Sequence, residues 1–292
     1  MGTVIKSAGF HAPLIPAGIV DMVAGVAEQC LRRAGSGIDE VEMLINTAVY
    51  NEKHLSEPAL AALIQDTLEK GNCDGCTAHD ARKLCSFDLH SGGGGLLTAI
   101  QVMDGFIRSG EIKTGLVTAG DVRPATGETL FYPYPDSAGV VLLSAGPDGE
   151  GFVSFRTEVW PEYDRDLESR ISWNSGLLKL DIAQKREYAL HCATSAVKAI
   201  RRFLYDENLR PEEIDLVLSS TSPASFASRL QRSLKWKGKI PGPLPAPEYY
   251  SAGMCLALSE TFFNGTFRNS RRVLFVTAGA GITISMALYM NG

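Results

Sequence analysis

The residues with the clearest chemical potential fall in one stretch, Leu84-Cys-Ser-Phe-Asp-Leu-His-Ser-Gly-Gly-Gly-Gly-Leu-Leu-Thr-Ala-Ile-Gln-Val-Met-Asp-Gly-Phe-Ile-Arg-Ser-Gly110. The pattern predicts a strand, a tight turn and an amphipathic helix, because Leu96, Ile100, Met103 and Ile107 recur at helical spacing behind the glycines Gly92 to Gly95. Amide groups converge at a helix N-terminus, where they lower a thiol pKa and stabilise anions, so enzymes of this layout usually carry a nucleophile on the turn. Here the turn is glycine. The run also lacks the G-x-G-x-x-G register and the later acidic residue of a dinucleotide site, so no cofactor is expected.

Other candidates lie nearby. Ser91, His90 and Cys85 precede the turn, but moving a nucleophile back two positions displaces it by roughly 6 to 7 Å, and catalysis tolerates even about 1 Å poorly. His90 and Ser91 are expected to satisfy backbone groups beside the turn. Cys73, Cys76 and His79 form a C-x-x-C-x-x-H pattern that, with Cys85, could offer four soft ligands to tetrahedral zinc. Against this, Cys85 opens the elbow strand, and a loop with incidental thiols is the preferred expectation. A helix over Ser225 to Trp236 sets Arg229, Arg232, Lys235 and the nearby Lys237 along a basic face, to which Arg201 and Arg202 could add. His11, His54 and His191 have no partner pattern and read as structural or exposed.

The elements that must position these residues come in two similar sets. Ile38-Asp-Glu-Val-Glu-Met-Leu-Ile-Asn-Thr47 matches Glu212-Glu-Ile-Asp-Leu-Val-Leu-Ser-Ser-Thr221, each an acidic turn before an apolar run. They follow helical stretches predicted over Ile19 to Ala34 and Asp181 to Asn208. Thr114-Gly-Leu-Val-Thr-Ala-Gly120 matches Arg272-Val-Leu-Phe-Val-Thr-Ala-Gly279, and further apolar strands follow at Ser137 to Ser144 and Ile282 to Met290. Continuous apolar strands alternating with helices demand a sheet covered on both faces, so the expected fold is α/β with a repeated βαβαββ-like unit. The halves are assigned to residues 1–155 and 156–292 of one unit with a shared core. Arg156 to Leu180 lacks a clear period and reads as a lid or excursion, and Lys237 to Pro247, with its four prolines, as a surface loop.

With 292 residues, 45% hydrophobic and 21% charged, the chain has material for a large core, and its net charge of -5 gives no overall basic field for nucleic acid. The first residues lack the features of a signal peptide and no apolar run spans a bilayer, which leads to the expectation of a cytoplasmic protein with reduced thiols and no membrane partner.

Read together with Ile112-Lys-Thr-Gly-Leu-Val-Thr-Ala-Gly-Asp121, the elbow resembles that of the ketoacyl-carrier-protein synthase III family of the thiolase superfamily, with its Phe-Asp, four residues, Cys-Ala-Gly-Phe pattern. Phe87 and Asp88 match, and Gly93 falls at the family's catalytic cysteine. Pro135-Asp-Ser-Ala-Gly139 resembles the family's Gly-Asp-Gly-Ala-Gly, and Ala278-Gly-Ala-Gly281 its C-terminal glycine-rich turn. About thirty family-typical residues are missing after Pro16, near the usual entrance to the site. The resemblance implies duplicated thiolase-like halves layered α-β-α-β-α. It puts Ser220 at the family's histidine position and Tyr249 at its asparagine position. It assigns the acyl or oxyanion pocket to Gly93, Gly279, Ala280 and Gly281, and gives the basic helix of Arg229, Arg232 and Lys235 to an acyl carrier protein.

A decarboxylating condensation needs a thiolate to hold the acyl group and two polar donors to stabilise the enolate, and a glycine at the nucleophile position can do none of this. The resemblance therefore implies a non-catalytic subunit, as a homodimer or paired with an active ketosynthase-like paralogue, in fatty-acid, polyketide or related secondary metabolism. The alternatives are an acyltransferase working on acyl-CoA or carrier thioesters through a displaced residue such as Ser91, and an acyl-binding module acting alone.

Overall fold

A strand with no solvent side must be covered on both faces, and in the computed structural model of this chain the apolar runs are covered by five layers. The structure describes residues 1–71, 84–124, 132–174, 176–236, 239–241 and 247–292. In chain order the strands are β1 (Gly2–His11), β2 (Met43–Asn46), β3 (Cys85–Asp88), β4 (Thr114–Asp121), β5 (Ser137–Gly146), β6 (Gly151–Val159), β7 (Leu167–Asn174), β8 (Leu177–Gln184), β9 (Leu216–Ser219), β10 (Arg272–Gly279) and β11 (Thr283–Met290). The helices are α1 (Ile19–Ala34), α2 (Leu60–Gly71), α3 (Gly95–Ser109), α4 (Tyr188–Asp206), α5 (Phe226–Ser233), α6 (Gly253–Phe263) and the short α7 (Thr266–Asn269).

The duplication shows in the sheets. The first has the order β1-β5-β4-β2-β3 and the second β6-β11-β10-β9. In both, a parallel pair (β2 with β4, β9 with β10) continues through two antiparallel neighbours to an edge strand. A counterpart of β3 is missing from the second sheet among the described residues. In the first half β2-α2-β3-α3-β4-β5 gives the expected βαβαββ order, with β1 and α1 before it; in the second, β6-α4-β9-α6-β10-β11 gives it, with the β7–β8 hairpin and the helices α5 and α7 inserted. β6 runs across the expected division after residue 155 and pairs with β11 of the second sheet.

The central layer is α3 with α6. Leu96, Ile100, Met103 and Ile107 of α3 and Met254 and Leu258 of α6 pack with Ile45 and Val117 of one sheet and Leu218 and Phe275 of the other. Burying such a side chain contributes about 1.5–3 kcal/mol, and the helical spacing seen in the sequence places them all against the same seam. α1 and α2 cover the outer face of the first sheet, with Val23, Leu31 and Ile64 on Leu44 and Leu116. α4 and α5 do the same for the second, with Ile200, Phe203 and Phe226 on Val217 and Val276.

Two sequence expectations need correction. The helix predicted from Asp181 starts at Tyr188, and Asp181 to Gln184 belong to β8. Arg156 to Leu180, read as an irregular excursion, holds the end of β6 and most of an antiparallel β7–β8 hairpin. The period of two is present, as Leu167, Ser169, Ile171 and Trp173, but only its inner end is buried. Ile171 and Trp173 are exposed at the tip, so charged neighbours obscured the pattern. The basic helix is also shorter than expected and ends at Ser233.

Candidate functional site

The carboxyl ends of β2, β3, β4, β9 and β10 face one region, where open α/β sheets place their ligands. Asp88 at the end of β3 shows how the elbow is fixed. Its carboxylate accepts from Asn46 Nδ2 at 2.9 Å on the neighbouring strand, and from the Leu60 and Ala61 amides at 2.8 and 2.9 Å at the start of α2. It therefore ties strand to helix and points away from chemistry. After it comes a single turn of 3-10 helix over Gly92–Gly94, which runs straight into α3.

The glycine turn is crowded by backbone and by one ring. A Cβ on Gly93 would lie 3.0 Å from the Ala278 carbonyl oxygen of β10 and 3.8 Å from Tyr250 Cε2. Gly92 has φ +52, and a Cβ there would stand 3.3 Å from the Tyr250 hydroxyl. The phenol of Tyr250 therefore lies over the amides that would otherwise stabilise a thiolate or an oxyanion. Burial pushes that phenol well above the ordinary tyrosine range, the nearby Tyr50 and Asp121 add to the shift, and the Gly93 amide opposes part of it. It stands as a neutral ring at neutral pH.

Ser220 and Tyr249, aligned by the resemblance with the other two family positions, are engaged elsewhere. The Ser220 hydroxyl donates to the Ser222 carbonyl at 2.9 Å and accepts from the Ala278 amide at 3.3 Å, so it is consumed by the backbone. Tyr249 turns away from the elbow. Its backbone exchanges hydrogen bonds with the Thr221 hydroxyl, and its ring meets Phe10 edge-on at 4.9 Å. The neighbouring Tyr250 is the residue that reaches the turn, and the sequence reading missed it. The two tyrosines stand in an irregular segment that turns at Tyr250, where the Tyr249 amide bonds back to the Pro247 carbonyl at 3.1 Å, so no periodic pattern in the sequence marked which ring would reach the elbow.

Tyr250 belongs to a cluster. Its ring lies 4.8 Å from Tyr134 and 5.4 Å from Tyr50, and Tyr132 joins both at 5.6 and 5.5 Å. Burial also pushes the phenols of Tyr50, to about 12, and of Tyr132 and Tyr134 upward. Among the described residues the buried hydroxyls of Tyr50, Tyr132 and Tyr134 have no hydrogen-bond partner of normal geometry. Beside Tyr132 and Tyr134 opens a cavity of about 710 Å³, lined also by Pro16, Gly18, Glu52 and Arg123. Leu14 and Ile15, just before Pro16, are exposed.

Asp121, at the end of β4, fastens the floor. It is fully buried and takes four hydrogen bonds, from the Val49 and Tyr50 amides at 3.1 and 2.9 Å and from the Ser251 amide and hydroxyl at 2.8 and 2.6 Å. Burial pushes its pKa up to about 6, against the pull of those donors. By holding Tyr50 and Ser251 at once it sets two of the four tyrosine rings.

The remaining candidates are dispersed. Ser91 is half-buried, its side chain caps nothing, and only its carbonyl is used, accepting from the Gly94 amide at 3.2 Å. His90 is exposed. The expectation that both side chains satisfy the turn is therefore corrected, since neither forms such a bond. Gly279 packs on the turn, where a Cβ would lie 3.4 Å from the Gly94 amide nitrogen; Gly281 follows with φ +68 and Ala280 between them is half-buried. Of the zinc candidates, Cys73, Cys76 and His79 lie outside the described residues, and Cys85 is an exposed free thiol. Burial drives the thiols of Cys30 and Cys192 up, to about 11 and about 12, and that of Cys255 higher still, so none of the three is an activated nucleophile.

On the basic face, Arg229 bonds Ser225 Oγ at 3.1 Å and Arg232 the Ser228 carbonyl at 3.3 Å, while Lys235 is exposed with φ 56. Arg202 pairs with Glu158 at 3.1 Å; Lys237 lies outside the described residues. His191, read as structural or exposed, has two partners: Asp166 Oδ2 lies 2.6 Å from its Nδ1, and Tyr163 stacks on it at 4.2 Å.

Duplicated halves, a central helix pair and an elbow at the strand ends define a thiolase-like α/β protein. In sequence and fold this chain is similar to ketoacyl synthase III enzymes. It is 22% identical over 275 residues to the beta-ketoacyl-[acyl-carrier-protein] synthase III of Aquifex aeolicus, covering 91% of this chain and 82% of that protein. With that of Rhodospirillum rubrum it is 25% identical over 290 residues, covering 92% and 83%. The crystal structure of the Aquifex aeolicus synthase superposes with a TM-score of 0.80 over 99% of this chain and 100% of that one, at 20% identity. The Pseudomonas aeruginosa synthase, FabH, gives 0.81 over 100% and 98% at 15% identity. A variant of Xanthomonas campestris OleA gives 0.80 over 99% and 98%, again at 15%. No family model matches the chain.

Proposed function

We propose that this chain is a non-catalytic relative of ketoacyl synthase III that supports an active partner in fatty-acid, polyketide or related secondary metabolism, working in the cytoplasm. The observation that carries the reading is the pairing of Gly93 with Tyr250: the position for the nucleophile has no side chain, and a neutral phenol lies over its amides. Ser220 and Tyr249, at the other two catalytic positions, are engaged with the backbone or turned aside. The likeness to the synthases supplies the context of acyl-CoA and acyl carrier protein, for which the basic face of Arg229, Arg232 and Lys235 is the proposed contact.

The partner is either a second copy or an active paralogue. β3 pairs with β2 alone among the described residues, which leaves one edge of the first sheet open at Cys85, and an open edge is a template for another strand. Ser91 as a displaced nucleophile is the less favoured reading, because among the described residues no base bonds its hydroxyl.

Incubation of the purified chain with acyl-CoA and with acylated carrier protein, followed by intact-mass measurement, is expected to show unmodified protein. An acyl adduct that disappears in Ser91→Ala would establish the acyltransferase reading instead. Co-purification with a ketosynthase encoded beside it is the expected outcome for the paired form.

A further inference from the structure

Away from the tyrosine cluster the seam between the halves holds a second, differently built site. α6 starts next to the cluster at Gly253 and runs to Phe263, so its last turn lies about 15 Å further along the helix axis. There Phe262 and Phe263, with Lys6 and Ser7 of β1, Arg33 of α1 and Arg268 of α7, line a cleft of about 210 Å³. The lining has three cations and no carboxylate.

Both guanidiniums are held by rings. Arg33 lies over Phe263 with its guanidinium carbon 4.3 Å from the ring centroid, and Arg268 lies 4.8 Å from the centroid of Phe262. A ring face attracts a cation through its quadrupole but carries no net charge, so it positions the guanidinium without neutralising it. Among the described residues the only further side-chain hydrogen-bond partner of Arg33 is the neutral Gln29, at 3.4 Å. Elsewhere in this acidic chain arginines find carboxylates: Arg32 with Glu28, Arg108 with Asp104, Arg156 with Asp206 and Arg202 with Glu158. Among the described residues neither Arg33, Arg268 nor Lys6 has an ion pair.

We propose that this cleft is an anion site for a phosphate-bearing ligand. Preorganised guanidinium forks match phosphate oxygens in pairs, and Lys6 adds a point charge from β1. Because the ring faces are already covered by the guanidiniums, the cleft reads the charged group and not an aromatic body attached to it. Its volume, below the roughly 300 Å³ at which pockets for drug-sized ligands begin, suits a phosphate or pyrophosphate. Since β1 and α1 belong to the first half and α6 and α7 to the second, the bound group clamps the two halves together, so binding raises thermal stability.

The test is titration of the whole chain with inorganic pyrophosphate at constant ionic strength, read by calorimetry and by Tm. Saturable binding and a rising Tm are expected. Arg33→Gln and Arg268→Gln are each expected to weaken binding about tenfold, as loss of a charge-assisted hydrogen bond does, and the double variant to abolish it. Both side chains are exposed, so the variants should fold as the parent does, and Arg229→Gln with Arg232→Gln on α5 should bind normally. Coenzyme A binding more tightly than pyrophosphate, with the same two variants sensitive, would identify a phosphorylated cofactor as the source of the group; pyrophosphate binding as tightly would identify free phosphates. Both support the site. A response matched by chloride, one unchanged in the double variant, or preferential binding of a polyglutamate peptide would overturn it.

Discussion

At the scale of single residues, the proposed silent site rests on more than one feature, the bare Gly93 and the Tyr250 ring beside it. A cysteine restored at Gly93 would gain a thiol but no base, and its Cβ would press on the Ala278 carbonyl at 3.0 Å. Gly93→Cys is therefore expected to form no acyl adduct by mass spectrometry, and to lose about 1–3 kcal/mol of stability through overpacking. Rapid acylation of that variant would show that the ring of Tyr250 does not guard the turn. Asp121 supports a second residue-scale prediction. Its pKa in the folded protein, about 6, lies above the ordinary carboxylate value of 3.8, so the folded state favours the protonated form. The stability it contributes is thus fullest below about pH 4 and falls as pH rises through about 6, by about 3 kcal/mol at most. In Asp121→Asn that fall should vanish from the Tm-versus-pH curve. The variant should also be weaker throughout, because an amide NH₂ cannot accept from the donors that Asp121 serves.

At the scale of elements, the parts legible in the sequence are those whose burial is uniform. α1, β4, β5, β10 and β11 are largely apolar where they are buried, so their apolar pattern located them within a few residues. The β7–β8 hairpin hid because its apolar face is covered at Leu167 and Leu180 and bare at Ile171 and Trp173. The site was partly legible for a related reason. A glycine on a helix-opening turn is visible as a missing nucleophile, whereas Tyr250 acts by shape and direction, and Tyr249 beside it has the same composition and the opposite role. Asp166 shows what anchors the hairpin: it is 2% exposed and binds Lys185 at 3.1 Å and His191 at 2.6 Å across to α4. Burial works against its ionised form, but His191 and Lys185 prevail and hold its carboxyl below the usual range. This contribution is present above about pH 4 and is lost as pH falls through the lowered value. Hydrogen exchange should show Asp166→Asn loosening residues 167–184 at neutral pH while the two large sheets stay protected. Uniform protection in the variant would remove Asp166 as the anchor. On the open edge of β3, Cys85→Lys is expected to stop strand addition and leave a species of 31.5 kDa where the parent associates, as native mass would report.

At the scale of the whole molecule, the question is whether the duplicated halves fold as one. The contact of β5 with α6 is the sharpest place to ask it, because Gly139 comes from the first sheet and Cys255 from the second half's central helix. A Cβ on Gly139 would lie 2.5 Å from Cys255 Cβ and 2.6 Å from its sulfur, and both residues sit in the shared core. Gly139→Ala is expected to cost about 1–3 kcal/mol. Cys255→Ala relieves only the contact with the sulfur, so in the double variant part of that cost should return as a coupling of about 0.5 kcal/mol or more. The decisive feature is the shape of the transition. If α3 and α6 weld the halves, Gly139→Ala lowers Tm while unfolding remains a single step by every probe. Two separated transitions, with only the first half shifted, would mean that the repeats are independent units in contact, and that a partner chain or a ligand at their seam is needed to make them one.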